Sequence, residues 1–272
     1  MKVLIYDNKE KDSCGEYLKE LEMLLSQAGI EYLQIFDKDL NKKISADIIF
    51  TLGGDGTILW VINFANNNNI PIIGINIGKV GFLTEFDKSN MAEAVNLLKD
   101  GQLKEDKRLT LSVSVNDKIL TCALNDAFIQ RVYSQEIGCM TAEISVHIDG
   151  RLVEDFKGDG VVICSPTGST AYSLSVGGSI LAPDVDALAV TPIAAHALGL
   201  RSIVFSSNST CQIELFGKTQ GALFTDGRLI CQVQKGDKIE VKKSKLVTTF
   251  LRKKDFNFYK RFSLRLNDRF KG

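Results

Sequence analysis

Gly53-Gly54-Asp55-Gly56-Thr57 interrupts an otherwise apolar run. Ahead of it lies Ala46-Asp47-Ile48-Ile49-Phe50-Thr51-Leu52, with the length and β-branched content of a buried strand. Behind it, Ile58 to Ala65 is apolar on most sides and predicts a partly buried helix. Strand, glycine turn and helix together aim backbone N–H groups and a positive helix end at an anion. Three glycines in four residues allow positive φ and close approach of a phosphate. Asp55 is the odd member, because a carboxylate repels phosphate unless it has chemistry to perform. It would orient or deprotonate an attacking hydroxyl, or hold a metal that carries phosphates. The plain alternative is that Asp55 or Thr57 caps the helix. The spacing is neither the Walker pattern nor GxGxxG.

Outward from this turn the chain alternates strands and helices. Val3 to Tyr6 predicts a strand. Ser13 to Gln27 predicts a helix with Leu18, Leu21, Leu24 and Leu25 at helical spacing, stopped at Gly29. Glu31 to Phe36 and Ile70 to Ile75 predict two more strands, and Met91 to Lys99 a helix with Ala94, Val95 and Leu98 inward. Asn66 to Asn69 is expected to be a solvated connector. This pattern predicts an α/β domain over residues 1–105, with a Rossmann-like parallel sheet covered on both faces.

From Leu109 the periodicity changes to two. Thr110–Val115, Ile119–Leu124, Ala142–Ile148 and Leu152–Glu154 alternate, separated by Asn116-Asp117 and Asp149-Gly150 turns. Ser202–Phe205, Cys211–Leu215, Ala222–Thr225 and Lys238–Val241 continue the series. Residues 106–250 are therefore expected to form a β-rich, β-sandwich-like domain. The pattern over Asp255–Phe270 is too irregular to type. The runs Lys242-Lys243-Ser244-Lys245 and Arg252-Lys253-Lys254 are expected in a solvated loop or edge strand.

Composition excludes some functions. Lys plus Arg and Asp plus Glu balance at 33 each, so no overall field draws nucleic acid or anionic lipid. No apolar run spans a bilayer, and the start MKVLIYDN has no signal-peptide form. Six scattered cysteines without CxxC spacing (Cys14, Cys122, Cys139, Cys164, Cys211, Cys231) are expected to be reduced and mostly buried, pointing to the cytoplasm. His147 and His196, far apart in sequence, leave little for a zinc site.

Further motifs follow in order. Gly74-Ile75-Asn76-Ile77-Gly78-Lys79-Val80-Gly81-Phe82-Leu83-Thr84 precedes Leu124-Asn125-Asp126 and Gly158-Asp159-Gly160. Ser165-Pro166-Thr167-Gly168-Ser169-Thr170-Ala171-Tyr172-Ser173-Leu174-Ser175 comes next, then Gly177-Gly178, Thr191-Pro192-Ile193, His196, Arg201 and Asp226-Gly227. Together with Gly53–Thr57 they resemble the NAD kinase family, whose GGDGT is shared with diacylglycerol-type lipid kinases and 6-phosphofructokinases. The stretch around Pro166–Ser175 is long and specific. It has no counterpart in the lipid-kinase reading, which also lacks a membrane-seeking segment. A dinucleotide-binding regulator without catalytic power has no need of Asp55.

The resemblance implies phosphoryl transfer from ATP, with magnesium, to the 2′-hydroxyl of the adenosine ribose of NAD, at a site between the two domains. It implies that Asp55 accepts the hydroxyl proton and that Gly53, Gly54 and Gly56 supply phosphate-facing backbone. Thr57 caps the helix or touches phosphate. Asn76, Phe82, Asn125, Asp126, Asp159, Thr167, Ser169, Thr170, Ala171, Tyr172, Ser175, His196 and Asp226 would bind NAD or ATP. Asn125 would pair with an adenine edge, Asp126 accept ribose hydroxyls, and Tyr172 stack on a base. Asp126 stands where the family has Glu, so its reach is shorter. Phe82 is core or pocket wall, and His196 is a ligand contact or a structural histidine. No metal ligands are identified. A returning segment over 251–272 on the first domain, a homodimer or homotetramer, and no nucleic-acid or membrane partner complete the expectation.

Overall fold

The computed structural model describes residues 1–78, 81–132, 141–197, 199–217 and 220–269; Lys79, Val80, Cys139 and Phe270, discussed above, lie outside them. The chain divides into two compact units, residues 1–107 with 248–272, and residues 108–247.

The first unit opens with β1 (Lys2–Asp7), α1 (Glu16–Gln27), β2 (Glu31–Ile35), β3 (Ile48–Gly53), α2 (Asp55–Asn68), β4 (Ile72–Asn76), β5 (Phe86–Asp87) and α3 (Met91–Lys99). The parallel sheet runs β4-β3-β1-β2, with β5 added in parallel to β4. Every residue of β3 and β4 is buried, as a sheet covered on both faces requires. Val3, Ile5, Phe50, Leu52, Ile73 and Ile75 share one core with α1 and α3. On the other face α2 approaches so closely that a Cβ on Gly74 would meet Ile58 Cδ1 at 2.6 Å. Strand β1 lies between β2 and β3, so the strand order reverses there, and the crevice at the carboxyl ends of β1 and β3 is where open α/β sheets take ligands.

Side-chain hydrogen bonds, one local and one distant, accompany two shifted helix boundaries. The Asp12 carboxylate accepts the N–H groups of Glu16 and Leu18, both at 2.9 Å, and helix α1 begins at Glu16 instead of Ser13. Helix α2 continues through the asparagines expected to be a solvated connector. Asn66 is buried and accepts a 3.0 Å hydrogen bond from the Thr248 hydroxyl, and Asn69 ends the helix at φ 55°.

The remaining elements are β6 (Leu103–Val115), β7 (Lys118–Ala123), β8 (Asp126–Arg131), β9 (Ala142–Ile148), β10 (Arg151–Gly158), β11 (Gly160–Cys164), α4 (Tyr172–Ser175), β12 (Ala187–Ile193), β13 (Ile203–Ser206), β14 (Cys211–Phe216), β15 (Gly221–Thr225), β16 (Arg228–Val233), β17 (Lys238–Lys253) and α5 (Phe258–Arg269). The unit boundary falls within β6 and again within β17. In the second unit an antiparallel sheet runs β13-β12-β11-β8-β15-β16. Strands β10, β9 and β14 and the start of β17 form another antiparallel array. Ile144, Val146, Ile213 and Val241 from that array share a core with Ile129, Val161, Ile163 and Val190 from the six-stranded sheet. Both turns anticipated in this unit have left-handed pairs, Asn116-Asp117 (φ 50° and 65°) and Asp149-Gly150 (50° and 74°).

Two expectations need correcting. Arg252 is fully buried, not solvated, whereas Lys242, Lys243 and Lys245 are exposed on β17, the solvated strand expected of them. Of the five described cysteines, all free, only Cys164 and Cys211 are buried; Cys122 and Cys231 are half-buried and Cys14 is exposed. The untyped C-terminal stretch is helix α5.

Candidate functional site

Gly53 closes β3 and pairs in register with Asn76, the last residue of β4. None of Gly53, Gly54 and Gly56 has a positive φ; Gly54 is extended at φ −136°. Close approach requires glycine at Gly53 instead, while Gly54 meets only the movable tip of Lys11. A Cβ on Gly53 would come within 2.0 Å of Thr57 Oγ1, and one on Gly54 within 2.8 Å of Lys11 Nζ. Gly56 faces open space.

Thr57 is buried, and its hydroxyl oxygen accepts the Gly54 N–H at 3.3 Å and the Asn8 amide at 3.1 Å. Its side chain therefore caps α2 and ties the end of β1 to the glycine turn. Asp55 is the first residue of α2. Its two oxygens accept the N–H groups of Phe82 (2.8 Å) and Leu83 (3.0 Å), and a Cβ on Gly81 would strike its carboxylate at 2.0 Å. The Asn76 side-chain oxygen Oδ1 accepts the Gly78 N–H at 2.9 Å. Phe82 is half-buried, with its ring 6.3 Å from that of Phe262. The structure thus gathers Gly53–Thr57, Asn76 and Phe82 in the first unit.

In the second unit the other predicted residues form a separate group. Asp226, at φ 48° in the turn after β15, accepts the N–H groups of Leu124 (2.8 Å), Asn125 (2.7 Å) and Asp126 (3.3 Å). Asp126 opens β8, is buried, and has the Tyr172 backbone N–H as a donor. Burial first, then the Asp226 charge, pushes the Asp126 carboxyl from 3.8 up to about 7. Burial also pushes Asp226 up, against the pull of its three N–H donors. The pair therefore titrates together, holding a proton at a higher pH than either would alone.

Residues 167–170 form one 3-10 turn, and α4 is a single helical turn, so no long helix follows β11. A Cβ on Gly168 would collide with the Asn125 carbonyl oxygen at 1.9 Å, which explains the glycine. The Thr167 hydroxyl accepts from Arg108 at 3.3 Å. Ser169 is wholly buried; its hydroxyl bonds the Pro166 oxygen and both the N–H and the oxygen of Leu181. It therefore holds the turn's shape. Thr170 donates back to the Thr167 oxygen, at 3.3 Å. Ala171 and Tyr172 are half-buried, and the Tyr172 ring meets Phe128 edge-on at 4.9 Å. Ser175 is exposed. Asp159 lies between β10 and β11 rather than in a β-turn, 2.8 Å from Arg131 Nε. The His196 side chain is exposed, and its backbone N–H bonds Lys157.

Sequence reasoning missed a cavity of about 650 Å³ in the first unit, at the carboxyl ends of β1 and β2 beside the start of α2. Asp7, Asn8, Lys9, Phe36, Lys38 and Trp60 are among its lining residues. Burial, reinforced by Asp12, pushes the Asp7 carboxyl from 3.8 up to about 6. The signal for it was the polar Asp7-Asn8-Lys9 directly after an apolar strand. Among the described residues no three His, Cys, Asp or Glu side chains are grouped closely enough to cage a metal.

The family model for the ATP-NAD kinase N-terminal domain matches residues 7–103, and that for the C-terminal domain matches residues 124–253. An NAD kinase of Caldicellulosiruptor bescii is 32% identical over 260 residues, 95% of this chain and 97% of that one. An NAD kinase of Methanothermobacter thermautotrophicus is 36% identical over 226 residues, 82% and 78% of the two chains. Among solved structures, yeast NADH kinase complexed with NADH has a TM-score of 0.82 at 24% identity, covering 98% of this chain and 87% of that one. An NAD kinase from Archaeoglobus fulgidus in complex with ATP has a TM-score of 0.75 at 23% identity, covering 98% of each. The two domain models span most of the sequence and are joined by relatives above 30% identity along nearly its whole length; the chain belongs to the NAD kinase family.

Proposed function

We propose that Asp55 accepts the proton of the 2′-hydroxyl of NAD's adenosine ribose, as the terminal phosphoryl group of ATP is transferred to that oxygen and NADP is formed. One observation carries this assignment. Two backbone N–H groups hold the Asp55 carboxylate in a single orientation at the first residue of α2. Phosphoryl transfer is mostly positioning and charge stabilisation, so a carboxylate held in place needs little more than to orient the hydroxyl in line. The positive end of α2 lies at the same turn and suits phosphate.

In the second unit, Asn125, Asp126, Asp226, Thr167, Tyr172 and Asp159 are assigned to NAD. A carboxyl that carries a proton near neutrality can donate to a ribose or base acceptor as well as accept. Magnesium enters this reading as ATP's companion. A cation held largely by phosphate and water needs only one or two protein carboxylates, and Asp55 is the carboxylate at the glycine turn. When bound, the cation would neutralise charge on the phosphates. A homodimer or homotetramer and a cytoplasmic location belong to the same reading, carried by the resemblance.

The test is NADP formation from NAD, ATP and magnesium, read by an NADP-specific dehydrogenase. Asp55→Asn is expected to lower turnover by ~10² or more. Asn also turns one acceptor oxygen into a donor facing a backbone N–H, so residues 81–83 loosen in that variant. A thermal melt and an NAD titration alongside separate that local effect from the lost chemistry. Equal turnover in variant and parent overturns the role of Asp55. NAD binding without NADP formation by the parent overturns the kinase reading in favour of a regulator.

A further inference from the structure

The 650 Å³ cavity of the first unit is of a size that accepts small molecules. Two large aromatic side chains that would ordinarily be covered, Phe36 and Trp60, line it and remain 37% and 43% exposed. Lys9 and Lys38 place their ammonium groups 5.1 and 5.7 Å from the Phe36 ring centroid. Asp37, just after β2, receives the Tyr6 hydroxyl and the Trp60 indole N–H (2.7 Å for the indole) on the same oxygen, Oδ1. Asp7 Oδ1 is buried among the described residues with no hydrogen-bond partner. Gly56 and Thr57, one turn of α2 before Trp60, line the same cavity, and Lys11 Nζ stands beside Gly54.

These features offer two chemistries, one at the glycine turn and one around Phe36 and Trp60. The glycine turn offers a helix N-terminus and a lysine, which suit phosphate. The Phe36–Trp60 region offers aromatic rings, which suit a planar base, and a carboxylate just after β2 with a second oxygen, Oδ2, to accept ribose hydroxyls. Inorganic polyphosphate has neither a base nor a ribose to engage Phe36, Trp60 and Asp37.

We propose that this cavity holds the nucleoside of the phosphoryl donor, so that the chain uses a nucleoside triphosphate and rejects inorganic polyphosphate. The inference rests on the kinase reading above and adds the donor's binding residues to it. Phe36 and Trp60 flank the base, Asp37 accepts a ribose hydroxyl, and the phosphates run toward Gly56 and Thr57.

Trp60 is the only tryptophan in the chain, so its emission reports on the cavity directly. Saturable quenching by ATP is expected, and none by tripolyphosphate at the same concentration. Trp60→Leu and Asp37→Asn are each expected to raise KM for ATP about tenfold, with KM for NAD within about twofold of the parent. Asn keeps an oxygen for the Tyr6 and Trp60 donors, so Asp37→Asn tests the acceptor rather than the fold. Tripolyphosphate supporting NADP formation as fast as ATP overturns the proposal, as does a parental KM for ATP in both variants. Quenching by ATP in a chain that makes no NADP supports the cavity as a nucleoside site while the kinase reading fails. Unaltered emission in an active chain overturns the cavity alone.

Discussion

Both units bury ionisable side chains, under opposite conditions. In the first, Arg252 is fully buried, but its Nε lies 2.5 Å from Asp106, its Nη1 reaches the Leu83 oxygen and Glu85, and its guanidinium stands 4.3 Å from the Phe256 ring centroid. Arg261 donates to the Thr84 oxygen at 2.7 Å and closes the cluster. Burial pushes Glu85 up, while both arginines pull it down. In the second unit, Asp126 and Asp226 are buried side by side with the same sign of charge. The first arrangement is neutralised by its neighbours and needs no ligand. The second penalises folding, and such a cost is retained where a ligand uses the groups.

The largest effect should come from breaking the neutralised cluster. Arg252→Ala leaves the half-buried Asp106 without its cation and Glu85 with Arg261 alone, and is expected to lose about 3–5 kcal/mol of stability by denaturant unfolding. A loss under about 1 kcal/mol would show that the cluster is no keystone and would erase the contrast.

Asp126→Asn should move stability the other way. The unfolded carboxyl ionises near 3.8 and the folded one near 7, so the folded state binds the extra proton between those values. Stability is therefore complete below about pH 4 and declines until about pH 7. The Asn variant is expected to flatten that decline and to gain about 2–4 kcal/mol at pH 8, while binding NAD more weakly. Melting temperature against pH checks the first part and calorimetric titration of NAD the second. Gained stability with unchanged NAD affinity would detach the buried pair from the ligand.

The smallest effect calibrates the other two. Lys243 pairs with Asp186 at 2.7 Å, both substantially exposed to solvent. Lys243→Ala is expected to change stability by less than about 1 kcal/mol. A larger loss in the same unfolding assay would mean that surface charge matters here as much as buried charge.

Period and turn chemistry made most of the fold legible. Apolar runs bounded by glycine announced β3 and β4, and Asn116-Asp117 and Asp149-Gly150 announced hairpins, because those patterns depend on near neighbours. The candidate site was legible where motif residues are contiguous, at Gly53–Thr57 and Pro166–Ser175. The errors lie where a distant partner changes the meaning of a polar residue. Asn66 is hydrophilic in composition and buried because Thr248 meets it; Arg252 is likewise covered by Glu85, Asp106 and two phenylalanines. The positive φ expected at the glycine turn failed for a related reason: steric approach by Thr57, not backbone handedness, demands glycine at Gly53.

Sequence alone therefore determined the order and type of the elements, the change from helix-bearing to β-rich texture near residue 109, and the family. Each depends on local spacing and on residues that lie together along the chain. Tertiary structure alone decided that Asp55 is held by Phe82 and Leu83, that Asp126 faces Asp226, and that Phe36, Asp37 and Trp60 meet around one cavity. The protonation and orientation of a side chain are set by dielectric, charge and donors within a few ångströms, and those neighbours come from tens of residues away.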